Sequence, residues 1–165
     1  MTRKILAFAA AASALTLGTA SAHAATADAS AGAKIVAPLQ VSKSTDLYFG
    51  TIAPSLASAD TVLVGADGSR SCGPQLTCLT ADHTAASFQV TGEMDASYTI
   101  TLPGTIQLAN PAGDTMDVYD FAGSKASGLL AGGTDSFSVG GTLGVNAAQP
   151  AGVYTGSFTV AVEYN

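Results

Sequence analysis

The stretch "GVYTGSFTVAVEYN", residues 152–165, alternates in character along its length. Tyr154, Phe158, Val160, Val162 and Tyr164 share one parity; Thr155, Ser157, Thr159 and Glu163 share the other, with Ala161 among them. A period of two is the mark of a strand that buries one face. Read as one strand, the run would extend about 40 Å, well beyond the usual five or six residues. It would then be the longest strand of the chain, and it keeps an aromatic, Tyr164, on the core face next to the last residue.

Upstream, the same period recurs in short runs divided by turn chemistry, and no window after the first 24 residues has a helical period. "KIVAPLQVS" (34–42) sets Ile35, Ala37, Leu39 and Val41 on one parity, with Pro38 suiting an edge. "DLYFGTI" (46–52), "TVLV" (61–64), "TMDVYDF" (115–121), "DSFSVGG" (135–141) and "TLGV" (142–145) read as further strands, and "GADGS" (65–69) as a turn. "SFQVTG" (87–92) and "YTITL" (98–102), joined by "EMDAS" (93–97), read as a hairpin with Phe88 and Val90 facing Tyr98, Ile100 and Leu102. Nine or so strands at this spacing predict an all-β, immunoglobulin-like antiparallel β-sandwich.

The first residues are not part of that domain. Arg3 and Lys4 precede an apolar run from Ile5 to Leu17, and Ala22-His23-Ala24 has the small-x-small pattern of a cleavage site. Residues 1–24 therefore read as a secretory signal, too short in its apolar run to span a bilayer. The expected organisation is a signal at 1–24, an extended segment at 25–33 and one sandwich domain at 34–165, exported to the periplasm and then the cell surface or medium. Without the signal, four basic residues face twelve acidic ones, a net charge of −8. Such a surface repels phosphate backbones and anionic headgroups, so neither nucleic acid nor membrane insertion is expected.

Cys72 and Cys78 enclose a five-residue loop, and in an oxidising compartment such a pair predicts a disulfide that staples one turn. Chemistry beyond that is sparse. No G-x-S-x-G or S-x-x-K is present, and His83 has only Asp82 as an adjacent partner. Asp114, Asp117 and Asp120 are spaced by three, which on a strand sends them to alternate faces and does not make a calcium loop. The glycines of "GGTDSFSVGGTLGV" (132–145) lead into strands, so they suit bulges or tight corners better than a phosphate cradle. No enzyme activity, cofactor or metal is expected.

After the signal, Ala25, Ala27, Ala29, Ala31 and Ala33 alternate in phase with Ile35. An extended segment of this kind lays one small apolar face into a groove by adding a strand to a sheet. An unstructured alanine-rich leader has the same composition, and the residues alone do not choose between the two.

"LYFGTIAP" (47–54), "FQVTG" (88–92), "SVGGTLGV" (138–145) and "PAGVYTGSFTVAVEY" (150–164) resemble the bacterial exported family called domain of unknown function 4402. That family is similar to the spore coat U and Mat/Ecp-type fimbrial subunits of chaperone–usher systems. The resemblance implies a pilin-like sandwich with an incomplete edge, filled first by a periplasmic chaperone strand and then by the N-terminal segment of a neighbouring subunit at an outer-membrane usher. Its terminal signature, a glycine fourteenth from the end and a penultimate aromatic, falls on Gly152 and Tyr164. The acceptor edge would then hold Gly152, Tyr154, Phe158, Val160, Val162 and Tyr164, and the donor would be Ala25 to Ala33 with Ile35. The expected function is a structural subunit of a surface fibre or coat, with copies of itself or related subunits as partners. The alternative is a self-contained secreted sandwich that binds a carbohydrate or another small ligand.

Overall fold

The computed structural model describes residues 24–165. The signal sequence read at residues 1–24 lies outside these, apart from Ala24. The chain divides into two units, residues 1–34 and 35–165. Of the first, residues 24–34 carry no secondary structure and every one is exposed.

Residues 35–165 form an all-β sandwich of antiparallel sheets. The strands in chain order are β1 (Gln40–Thr45), β2 (Ile52–Ala53), β3 (Asp60–Val64), β4 (Arg70–Cys72), β5 (Thr77–Cys78) and β6 (Ala86–Thr91). They continue with β7 (Ser97–Thr101), β8 (Ile106–Ala109), β9 (Thr115–Gly123), β10 (Ser127–Leu129), a 3-10 turn at Ala131–Gly133, β11 (Thr134–Val145) and β12 (Ala161–Tyr164). The larger sheet runs β1-β6-β11-β3-β4, with β9 also on β11 and β8 on β9; the smaller runs β10-β7-β12. Strands β2 and β5 make a separate short pair.

Strand β11 organises the larger sheet. Val139 lies opposite both Ala86 of β6 and Gly123 of β9, so these two strands flank it on opposite sides. Leu143 lies opposite both Val62 of β3 and Val118 of β9. Strands β6 and β3 therefore follow one another along one edge of β11, with β9 on the other. The handover falls at Gly140 and Gly141. A methyl group on Gly140 would overlap the Val64 carbonyl oxygen and sit 2.6 Å from the carbonyl carbon of Gly65, so only glycine lets the end of β3 pass.

Each half of β11 covers its own core. Phe137 and Val139 join Ala86, Val90, Tyr98, Ile100, Leu130 and Val160 between the two sheets. Leu143 and Val145 join Phe49, Val62, Val64, Leu76 and Val118. Cys72 and Cys78 are disulfide-bonded, as their spacing predicts, with Cα atoms 6.5 Å apart, and they pack on this second core. Closing so short a loop contributes about 2 kcal/mol, so the bond holds a corner and not the domain.

Three expectations need correction. The terminal run is not the longest strand: β12 has four residues and β11 has twelve. The "EMDAS" segment does not close a hairpin. Strand β6 pairs with β1 and β11, whereas β7 pairs with β10 and β12. The turn instead carries the chain from one sheet to the other: Asp95, at φ 59°, gives its N–H to Leu130 and Ala96 gives its own to Glu93. The apolar parities there were correct, but they face each other across the core and not along a ladder. Finally, the first strand begins at Gln40, and Ile35 is 93% exposed.

One polar cluster ties the two sheets. Tyr98 of β7 is wholly buried and donates from its hydroxyl to Asp135 Oδ2 of β11 at 3.0 Å. Lys125 Nζ donates to both oxygens of the same carboxylate at 2.8 and 2.9 Å. Burial, then the hydrogen bond and charge of Asp135, push the Tyr98 hydroxyl up to about 12. Burial raises the Asp135 carboxyl, but donation from Lys125, the Ser136 amide and Tyr98 outweighs it, and the net shift is downward. Opposite Tyr98, Gly128 leaves the room: a Cβ there would lie 2.6 Å from the Tyr98 ring.

Two outcomes are expected in urea unfolding of the domain. Gly140→Ala will cost about 3 kcal/mol, because backbone and not a flexible side chain blocks the methyl group, while Gly104→Ala, with nothing within 4 Å, will change stability by less than about 1 kcal/mol. Tyr98 ionises near 10 when unfolded but near 12 when folded, so the folded state holds more protons between these values and stability falls as pH rises through them. Tyr98→Phe will flatten that alkaline slope and cost about 1 kcal/mol at neutral pH through the lost hydrogen bond to Asp135.

Candidate functional site

The terminal run keeps its alternation even where it makes no ladder. Tyr154, Phe158, Val162 and Tyr164 are half-buried and Val160 is buried, while Thr155, Ser157, Thr159, Ala161 and Glu163 are exposed. Only Ala161 to Tyr164 pair with β7, through Thr101 to Tyr98. Thr155 makes an isolated bridge to Ala109 at the end of β8. Between them, Gly156 to Val160 make no backbone hydrogen bond among the described residues. Two apolar side chains thus point inward from a segment whose amides and carbonyls have no hydrogen-bond partner among the described residues. Such a row is a ready template for another strand.

Beneath this segment lies an aromatic cluster. Phe158 meets Phe121 at 5.0 Å between centroids and Phe88 at 6.2 Å, and Phe88 stacks on Phe137 at 5.3 Å. Phe88, Phe121 and Phe158 are only half-buried, so the core is incompletely covered along this edge. Strand β12 is itself the edge of the smaller sheet. It comes within 8 Å of β1, an edge of the larger sheet, yet the two are not hydrogen-bonded to each other.

Tyr164 closes one end of the edge. Its hydroxyl accepts from the Glu93 N–H at 2.6 Å and donates to the Ala37 carbonyl at 2.9 Å. The Ala37 N–H donates in turn to Glu93 Oε2 at 3.1 Å. Both main-chain groups of Ala37 are therefore held where the chain enters the domain. Gly92 is required beside this clamp, since a Cβ there would meet the Tyr164 hydroxyl. Neither Gly92 nor Glu93 was apparent as part of a site from sequence; the nearest signal is a glycine directly after a strand.

The remaining candidates separate. Gly152 is exposed beside Asn110, and Tyr154 is taken up by its own loop, donating to the Pro150 carbonyl at 2.7 Å and accepting from Gln149 Nε2 at 3.0 Å. Phe158 and Val160 lie on the unpaired run, and Val162 and Tyr164 in β12. Ala25, Ala27, Ala29, Ala31 and Ala33 are all exposed and outside any strand, as is Ile35.

An antiparallel sandwich whose last segment runs along an edge without backbone partners among the described residues is the class of protein that this geometry defines. The chain belongs to the domain of unknown function family DUF4402, whose model matches residues 39–164. No curated protein and no solved structure matches it. The match begins at Leu39, so the alternating alanines lie outside the shared domain.

Loss of the Tyr164 hydroxyl in Tyr164→Phe will cost about 1–2 kcal/mol, because a carbonyl and an amide lose their partner together. Phe158→Ala will cost about 3 kcal/mol, and Thr159→Ala, on the outward parity, under about 1 kcal/mol. Chemical unfolding of the three variants checks the assignment of faces.

Proposed function

We propose that this protein is an exported, non-enzymatic structural subunit of a bacterial surface fibre or coat that assembles by donor-strand addition. The observation that carries the reading is the run Gly156 to Val160, which belongs to no strand, alternates inward and outward at its side chains, and lacks backbone partners among the described residues. The donor is residues 25–33 of another copy or a related subunit, with Ile35 as its largest apolar side chain. Alternating methyl groups would face Phe88, Phe121 and Phe158, while backbone hydrogen bonds supply most of the attraction. A periplasmic chaperone would hold the edge until an outer-membrane usher exchanges it for the next subunit's segment. The resemblance to fimbrial and spore-coat subunits supports the same reading, and the passage would run from periplasm to cell surface.

The test is the ladder of oligomers that resist denaturing gels. Deleting residues 25–33 will abolish it while the circular dichroism spectrum stays that of a folded β protein. Ala29→Asp and Ala31→Asp will act in the same way, since an unpaired carboxylate entering an apolar groove costs several kcal/mol. Ser30→Asp, on the outward parity, will be tolerated. An unchanged ladder after the deletion would remove the donor-strand model. A wild-type monomer that melts cooperatively without a chaperone would favour the self-contained binding module.

A further inference from the structure

The outer face of the larger sheet carries a shallow, open cleft of about 440 Å³. Its floor is Gly144 of β11, the one outward position there without a side chain. A Cβ on Gly144 would lie 3.4 Å from the Tyr119 ring, so this ring leans over the bare backbone from β9. Gln107 of β8 and Asp117 of β9 are cross-strand partners on the same face, and Gln107 Nε2 donates to Asp117 Oδ1 at 3.1 Å. Asn146, just beyond β11, and Asp60, at the start of β3, complete the walls.

The hydrogen-bonding capacity of these groups is only partly used. Among the described residues the Tyr119 hydroxyl, Asp117 Oδ2 and Gln107 Oε1 have no protein partner, and Asn146 spends one N–H on Gln149. Asp60 differs, because its two oxygens accept from the Thr61 and Gln75 amides, each at 2.8 Å. One carboxylate is then left for a ligand, too few for calcium or magnesium, which take six or more oxygens, and no histidine or cysteine lines the cleft to hold zinc. No lysine or arginine lines the cleft, so an anion has nothing to pair with. What remains is an aromatic ring beside a planar carboxylate and a planar amide that hold each other in place. Vicinal hydroxyls match such planar acceptors, and the C–H face of a pyranose ring matches an aromatic surface. The volume falls in the range of small-molecule pockets, roughly 300–1,000 Å³.

We propose that this cleft binds a neutral saccharide, with Tyr119 as the stacking platform and Gln107 and Asp117 as the hydroxyl-reading pair. The site lies on the face of the larger sheet and not on the terminal edge, so it stands whether or not the chain polymerises. Cellopentaose, maltopentaose, mannopentaose and chitopentaose are the probes, each examined by saturation-transfer NMR with the chain lacking residues 1–24. At least one will receive saturation, and Tyr119→Ala and Gln107→Ala will each weaken its binding about tenfold or more. Circular dichroism accompanies both variants, and if Tyr119→Ala does not fold, the exposed Gln107→Ala decides alone. Absence of transfer to all four sugars overturns the proposal, and so does binding that survives in a folded variant.

Discussion

The sandwich depends on a single strand that serves two neighbours along one edge. Strand β11 pairs first with β6 and then with β3, and a Cβ at the changeover would collide with the backbone that ends β3. Strand β9 pairs with β11 on both sides of the changeover, through Val139 and Gly140 before the irregularity at Gly141 and through Thr142 and Leu143 after it, which holds the register of β11 on each side. Both cores sit on its inward side chains, Phe137 and Val139 in one and Leu143 and Val145 in the other. A substitution at Gly140 would therefore disturb two hydrophobic clusters through one carbonyl.

The two sheets are not closed equally around their perimeter. Near the start of β11 they are joined by Tyr98, Asp135 and Lys125, a cluster in which each polar atom has a partner and the aromatic ring is sealed. Along the terminal edge the opposite holds: three phenylalanines are left half-covered and five consecutive residues lack backbone partners among the described residues. Burial of polar groups is costly unless they are satisfied, and exposure of an unpaired edge invites pairing. Among the described residues the domain meets the first constraint in full and leaves the second open, which is the physical basis for the proposed role of that edge.

Periodicity told which side of each segment faces the core, and it did so even where no strand forms. From Tyr154 to Tyr164 every predicted inward side chain is at least half-buried and every outward one is exposed. What periodicity does not contain is the identity of the hydrogen-bonding neighbour. The alternation of Phe158 and Val160 looks the same whether the main chain is paired or bare, so the run appeared as one long strand. Likewise Phe88 and Tyr98 carry correct parities on either side of "EMDAS", but whether they share a ladder depends on Asp95 and Leu130, which meet only in three dimensions. The disulfide was legible because its loop is local. Gly92 and Gln107 were not, since what makes each of them part of a site is a residue distant in sequence, Tyr164 for one and the cleft over Gly144 for the other.

The clamp at Tyr164 has a consequence for the order in which the domain can be completed. Its hydroxyl reaches the Ala37 carbonyl across 127 positions of sequence, one of the longest loops the chain can close. The N-terminal side is made first, so the Ala37 carbonyl must wait for its partner until residue 164 has been made, even though Glu93, which holds the Ala37 N–H, is available much earlier. Strand β3 waits similarly for Leu143 and its neighbours, some eighty positions later. Contacts so remote in sequence form slowly, since the entropy of ordering the intervening chain is lost before any pairing compensates it. The nascent molecule thus passes through a long interval with strand edges bare and aromatic residues uncovered, a period in which a holding partner would be most useful and self-association most damaging.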